Sequence, residues 1–306
     1  MSFDLFRSMT WPALGTIAGA ALLAGCASAP GASGERSVTI TRTTFGIPHI
    51  TAENPESLAY GVAYAYAQDN VCMVADQLVT ARGQRSASFG PKTTGLLGRR
   101  YLPNAQIDLF VAAHMDDAAL ARAWQQTSSE AQALVRGYVE GYNRYLSDHA
   151  ASLPAACRGQ PWVQPMTVAE HRRMAEITAV QAGIAALADG MLGAQPPKAS
   201  TAGADAPRTT LADAAQALRE LGLLDSPLGS NAWAFGKDVT ANGSGMLLGN
   251  PHFPWTGPNR FYEMHLTVPG RMDVMGVGIG TFPTVAIGFN KDVAWSHTVS
   301  TGKRFT

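Results

Sequence analysis

The segment Asp225-Ser226-Pro227-Leu228-Gly229-Ser230-Asn231-Ala232-Trp233-Ala234 joins two different textures of sequence. Before it, residues 193–210 are dense in Gly, Ala, Pro, Ser and Thr and carry no apolar period, as a linker would. A short helix is expected at 211–221, so residues 193–229 together read as a spacer. After it, strands and turns follow one another. Residues 231–236 and 246–248 flank the turn Thr240-Ala241-Asn242-Gly243, and 261–268 precedes Pro269-Gly270. Further strands are expected at 272–277, 283–289 and 293–299. The opening of a β region therefore begins at Ser230.

Upstream of the spacer, residues 37–192 read as mainly helical behind one hairpin. Residues 37–50 are rich in β-branched side chains, with Gly46-Ile47-Pro48 as the expected turn. Asn54-Pro55-Glu56 is a helix start, a capping side chain followed by Pro in the first turn. Leu58, Val62, Tyr66 and Met73 form a helical stripe that Gly83 can end. A second helix is expected from Ser129, with Ser129 and Gln132 as a capping box and Leu134, Tyr138, Tyr142, Tyr145 and Leu146 on one face. A third spans about 168–187. These aromatic stripes read as core rather than as a ligand box.

The composition limits the function. Lys+Arg and Asp+Glu are balanced at 23 each, and only 15% of residues are charged. No net field draws the chain to nucleic acid, and 46% hydrophobic residues suffice for a substantial core. The first 25 residues stand apart. Arg7 precedes a mostly apolar run from Met9 to Leu23, too short and Gly-rich for a membrane span, which reads as an export signal. It ends in Leu23-Ala24-Gly25-Cys26, which resembles a bacterial lipobox. The expectation is a cut before Cys26, lipidation of Cys26, a tether over 26–36 and periplasmic placement on a lipid anchor, the outer membrane favoured by Ala27. The other reading is an ordinary signal with an incidental Cys. Export leaves Cys72 and Cys157 to pair in an oxidising compartment, two free thiols being the alternative.

A serine hydroxyl is a weak nucleophile without a nearby base. No Gly-x-Ser-x-Gly elbow lies on a strand-to-helix turn, and His252, His265 and His297 are too scattered for paired metal ligation, so no metal is indicated. An N-terminal residue offers another solution, because its α-amine, with an unperturbed pKa of about 7.7 to 8.0, can take the hydroxyl proton. That requires a cut directly before a nucleophile at a linker-to-strand junction. Gly229-Ser230 is such a junction; Gly-Ser is also a common turn dipeptide.

Leu228-Gly229-Ser230-Asn231-Ala232-Trp233-Ala234 resembles the processing site of the penicillin amidase family of N-terminal-nucleophile hydrolases. The similarity extends to Phe45-Gly46-Ile47-Pro48-His49-Ile50 and Tyr60-Gly61-x-Ala63-Tyr64-Ala65-x-Ala67-Gln68-Asp69 upstream. Downstream it includes Gly249-Asn250-Pro251-His252-Phe253, Arg260-Phe261-Tyr262-Glu263-Met264-His265-Leu266 and Gly288-Phe289-Asn290-x-x-Val293-Ala294-Trp295-Ser296. His252, where classical penicillin acylases carry Gln, places the pattern near the acyl-homoserine-lactone and aculeacin-type acylases. The resemblance implies an α+β fold, a sandwich of two antiparallel sheets between helical layers, here incomplete and ending early in the β subunit. It implies Ser230 as nucleophile freed by cleavage after Gly229, His252 as an orienting residue and the Val299 N–H as an oxyanion-hole donor. The bland alternatives are a turn serine, a loop-packing histidine and a strand-core valine. The implied reaction is cofactor-free hydrolysis of a small N-acyl amide, such as a long-chain acyl-homoserine lactone, by an α/β heterodimer formed on self-cleavage. A penicillin- or aculeacin-type substrate, or an inactive envelope lipoprotein that binds an acyl ligand or a partner, are the competing expectations.

Overall fold

The computed structural model describes residues 36–97, 100–181, 191–194 and 229–298. The expected signal with Cys26, nearly all of the spacer with its helix at 211–221, the end of the third helix and Val299 lie outside the described residues.

Strands β1 (Val38–Arg42) and β2 (Pro48–Ala52) pair antiparallel, Ile40 opposite Ile50. The turn between them falls earlier than expected. Gly46 adopts φ 83° and donates to Thr43 O, while Pro48 opens β2, a position where a missing N–H is harmless. Helix α1 (Pro55–Arg82) starts where the sequence places it, with Asn54 Oδ1 accepting from Ser57 N at 2.9 Å, and stops at left-handed Gly83. The expected stripe is too narrow a description. Leu58, Val62 and Tyr66 are buried, but so are Ala59, Ala63, Ala67, Val74, Ala75 and Leu78, because α1 is covered on more than one side.

Five elements that the sequence reading passes over come next: α2 (Arg85–Phe89), the hairpin of β3 (Thr94–Leu97) and β4 (Arg100–Pro103), α3 (Asn104–His114) and α4 (Asp117–Gln126). The buried Arg85 guanidinium ties them to α1, donating to Asp76, Thr80 and Asn104 at 2.8 to 2.9 Å. Helix α5 (Ser129–His149) is capped one residue earlier than expected, by the Ser128 hydroxyl accepting from Ala131 N. Gln132 makes no capping box; its amide donates to Trp124 O and Thr127 O and fixes the α4–α5 corner. Helix α6 (Val168–Gln181) follows.

The α1–α5 contact is set by small residues. A Cβ at Gly137 or Gly141 would collide with the carbonyl oxygen of Glu56 or Tyr60, so the two backbones approach as closely as only glycine allows. Tyr138, Tyr142 and Leu146 then interlock with Tyr66, Val74 and Leu78. Each such side chain contributes about 1.5–3 kcal/mol by leaving water. Cys72 on α1 and Cys157 beyond α5 are joined by a disulfide at the edge of this core, with Cα atoms 5.5 Å apart.

Beyond the spacer come β5 (Gly229–Phe235), β6 (Met246–His252), β7 (Phe261–Val268), β8 (Met272–Ile279), β9 (Ile287–Phe289) and β10 (Ala294–Trp295). Strand β9 is shorter than expected, because residues 280–284 fold into turns through Phe282 N to Ile279 O and Thr284 N to Phe282 O. The main sheet runs β1-β2-β7-β8-β9-β10. All its pairings are antiparallel except β2–β7, which is parallel, with Ile50 beside Leu266. That pairing joins residues that precede position 195 to residues that follow position 228. Alternation turns Ile50, Ala52, Met264, Leu266 and Val268 toward Leu58, Val62 and Ala65 of α1 as a second core. Helices on one face of a mostly antiparallel sheet make this an α+β chain.

Candidate active site

Strands β5 and β6 form their own two-stranded ladder, hydrogen-bonded to neither edge of the main sheet. Between them a 3₁₀ turn, Lys237–Val239, and Gly243 at φ 66° reverse the chain, held by the Thr240 hydroxyl donating to Ser244 O at 2.6 Å. The register sets Gly229 opposite His252, Ser230 opposite Pro251 and Asn231 opposite Asn250. The ladder thus brings together three of the residues singled out in the sequence: Gly229, Ser230 and His252.

Ser230 is half-buried, and its hydroxyl donates to the carbonyl oxygen of Gly229 at 2.5 Å. The hydroxyl therefore lies against the peptide group joining these two residues. The His252 ring stands beside Gly229, where a Cβ would lie 3.1 Å from Nδ1 and 3.8 Å from Cε1. Glycine leaves the space that this imidazole fills. The other ring nitrogen, Nε2, lies 3.2 Å from Asn250 Nδ2. Residues two apart on a strand share a face, so Asn250 and His252 meet by geometry alone. Asn250 carries part of the motif, but its contact with the imidazole was not anticipated; the period-two spacing is the signal that points to it.

An open cleft of about 290 Å³ adjoins His252, lined by Pro251, Phe253, Pro254, Trp255, Arg260 and Phe261. Phe253 stacks on Phe261 with ring centroids 4.5 Å apart. Arg260 reaches across to α1 and donates to Asn70, the residue at which α1 leaves helical geometry (φ −140°, ψ 20°). The ladder meets the end of β10 where Gly249 leaves room for Ser296, whose Oγ would be 3.2 Å from a Cβ there. Val299 follows three residues later, outside the described residues.

The remaining motif residues hold the fold. Asp69 accepts from the Tyr262 hydroxyl at 2.7 Å and pairs with Arg42 at 3.0 Å, and Gln68 accepts from the same guanidinium at 2.9 Å. His265 belongs to the main sheet rather than to the Ser230 ladder. Its Nδ1 lies 2.8 Å from His49 Nδ1, and its Nε2 donates to Asp273 at 2.6 Å, which holds that carboxyl below the usual range. Among the described residues no group of three His, Cys, Asp or Glu side chains is placed to hold a metal ion.

Comparison with known proteins accords with these motifs. An acyl-homoserine lactone acylase, PvdQ, of Pseudomonas syringae pv. syringae (strain B728a) is 44% identical over 269 residues, 87% of this chain and 34% of that protein. Aculeacin-A acylase of Actinoplanes utahensis is 40% identical over 297 residues, 96% of this chain and 37% of that protein. A solved thermostable penicillin G acylase from Alcaligenes faecalis aligns over 56% of this chain and 100% of its own, with a TM-score of 0.42 and 22% identity. The chain spans about a third of the length of the curated relatives it matches. The sequence model described as penicillin amidase matches residues 37–306, and the chain therefore belongs to the penicillin amidase family.

Proposed function

We propose that this chain is the first portion of a self-processing acylase that hydrolyses N-acyl amides, long-chain acyl-homoserine lactones in the first instance. The observation that carries the reading is the Ser230 hydroxyl on the Gly229 carbonyl, at the end of the β5–β6 ladder where His252 stands beside Gly229. In processing, Ser230 Oγ attacks the Gly229 carbonyl carbon, the peptide shifts from nitrogen to oxygen, and water hydrolyses the ester. Gly229 leaves as a carboxylate and Ser230 keeps a free amine.

In turnover that amine accepts the proton of its own hydroxyl as Oγ attacks the substrate amide. It returns the proton to the departing amine, and water releases the fatty acid from the Ser230 ester. The Val299 N–H stabilises the oxyanion, a contribution of about 2.7–4 kcal/mol for such a donor. The aromatic cleft at Phe253 and Phe261 suits an acyl chain better than a charged group. The likeness to acyl-homoserine lactone and aculeacin-A acylases supports the same substrate class. Following the sequence reading, the mature protein is an exported α/β heterodimer held to the periplasmic side of a membrane through Cys26.

N-terminal sequencing of the purified full gene product should return Ser230 as a new terminus, and a long-chain acyl-homoserine lactone should be hydrolysed. The Ser230→Ala variant should remain uncut and inert. Cleavage persisting in that variant would overturn the proposed chemistry, and turnover of penicillin G alone would overturn the substrate.

A further inference from the structure

We propose that the contact between His49 and His265 is an acid-sensitive latch on the β2–β7 pairing: it closes while the two rings together carry two protons, and a third proton opens it. This inference is independent of the acylase reading above. The two histidines are register partners in the parallel pair, and their Nδ1 atoms lie 2.8 Å apart, so one proton is held between them. On the far side of the His265 ring, Nε2 lies 2.6 Å from an oxygen of Asp273, a carboxyl that this bond holds below the usual carboxylate range. An ionised carboxylate can only accept. His265 therefore keeps its proton on Nε2, and His49 donates from Nδ1 in the neutral pair. The fourth ring nitrogen, His49 Nε2, is buried and has no partner among the described residues.

A third proton has one place to go if the contact is kept. With one proton between the Nδ1 atoms and one on His265 Nε2, it must sit on His49 Nε2, where a buried N–H has nothing to accept it. Opening removes the conflict: His265 becomes an imidazolium that keeps Asp273 and turns its other N–H to water. The surroundings favour that outcome. Thr41 of β1 and Met275 of β8, the strand partners of His49 and His265, carry no charge. Within these strands the charged residues on the same face of the sheet are Asp273 and Glu263, both acidic, while Arg42 pairs with Asp69 of α1. Opening thus takes up a proton that the closed pair refuses. The latch holds fully above about pH 6.5, where a free imidazole titrates, and yields as the pH falls below it.

The test uses the full gene product labelled with nitrogen-15, as wild type and as His49→Asn, which keeps an N–H donor for His265 Nδ1 and removes the titration. At about pH 7.5 the imidazole nitrogen shifts of the wild type should place the His265 proton on Nε2 and the His49 proton on Nδ1. Between about pH 7.5 and about pH 5.5, the protection of β2 and β7 amides, corrected for intrinsic exchange, should fall roughly tenfold further in the wild type than in the variant, the factor expected when opening exposes one imidazole. Any other proton placement, equal falls in the two proteins, or a wild type that protonates both rings with its β2–β7 protection intact would overturn the latch. Should the variant not fold, the wild-type titration alone decides, because proton uptake by the pair and loss of protection must share one midpoint.

Discussion

Ser230 and Gly229, on which the proposed processing rests, meet through the Ser230 hydroxyl donating to the Gly229 carbonyl oxygen. The sequence draws attention to the pair because a linker texture gives way there to a strand texture, and β5 does begin at Gly229. Its surroundings were not readable, since the placing of His252 against Gly229 depends on the β5–β6 register, which no local pattern specifies. Gly229→Ala tests that packing. A Cβ 3.1 Å from Nδ1 would oblige the imidazole to shift by a few tenths of an ångström, while a half-buried strand end with no other close neighbour has room for the methyl group. Processing followed by intact mass should slow by roughly tenfold or more, with stability within about 0.5 kcal/mol of wild type. Cleavage at the wild-type rate would mean that the ring's position is immaterial to it.

At the scale of elements, legibility followed the strength of the end signals. Helix α1 was found because Asn54, Pro55 and Gly83 mark both ends, and β7 because an alternating run stops at Pro269-Gly270. Helix α3 escaped because it opens after Pro103 without a side-chain cap, though Ile107, Phe110 and Val111 bury its inner face. The cap of α5 was misplaced by one because Ser128 and Ser129 are both competent, and only the backbone decides between them. The parallel β2–β7 joint pairs strands more than 200 residues apart and left no trace in the sequence of either strand. The glycines of α5 are the reverse case, visible yet uninterpreted until α1 was seen against them. Gly141→Ala places a methyl group onto the Tyr60 carbonyl, a backbone atom that cannot swing aside. The variant should be destabilised by about 1–3 kcal/mol in urea unfolding, as overpacking predicts, although alanine is the better helix former. A gain in stability would show that α1 and α5 can separate freely.

For the molecule as a whole, the proposed cut before Ser230 raises the question of what would hold the segments on either side of it together. The β2–β7 pairing is one answer, and the packing of α5 and α6 on the β8–β9 connection is another. Tyr138 donates to Gly280 O at 2.9 Å, and His171 Nε2 donates to Thr281 O at 3.1 Å. His171 is buried, its ring lies 5.0 Å from that of Tyr138, and its Nδ1 has no partner among the described residues. A proton on Nδ1 would be a buried charge with nothing to accept it, and burial pushes this imidazole down to about 4, the bond to Thr281 opposing the shift only in part.

The unfolded chain titrates near 6.5, so below that pH it binds a proton that the folded chain refuses. The stability due to neutral His171 is therefore fully present above about pH 6.5 and drains away as the pH falls toward about 4, by something on the order of 3 kcal/mol. His171→Gln keeps a donor for Thr281 and removes the titration. Its unfolding free energy, measured in urea between pH 7.5 and about 4, should lie below that of the wild type at neutral pH and fall less steeply as acid is added. The acid sensitivity common to both proteins belongs to carboxylates such as Glu170, held low by Arg82 and Thr167 against the opposing effect of its own burial. Parallel curves for the two proteins would place the acid-labile joint somewhere other than at His171.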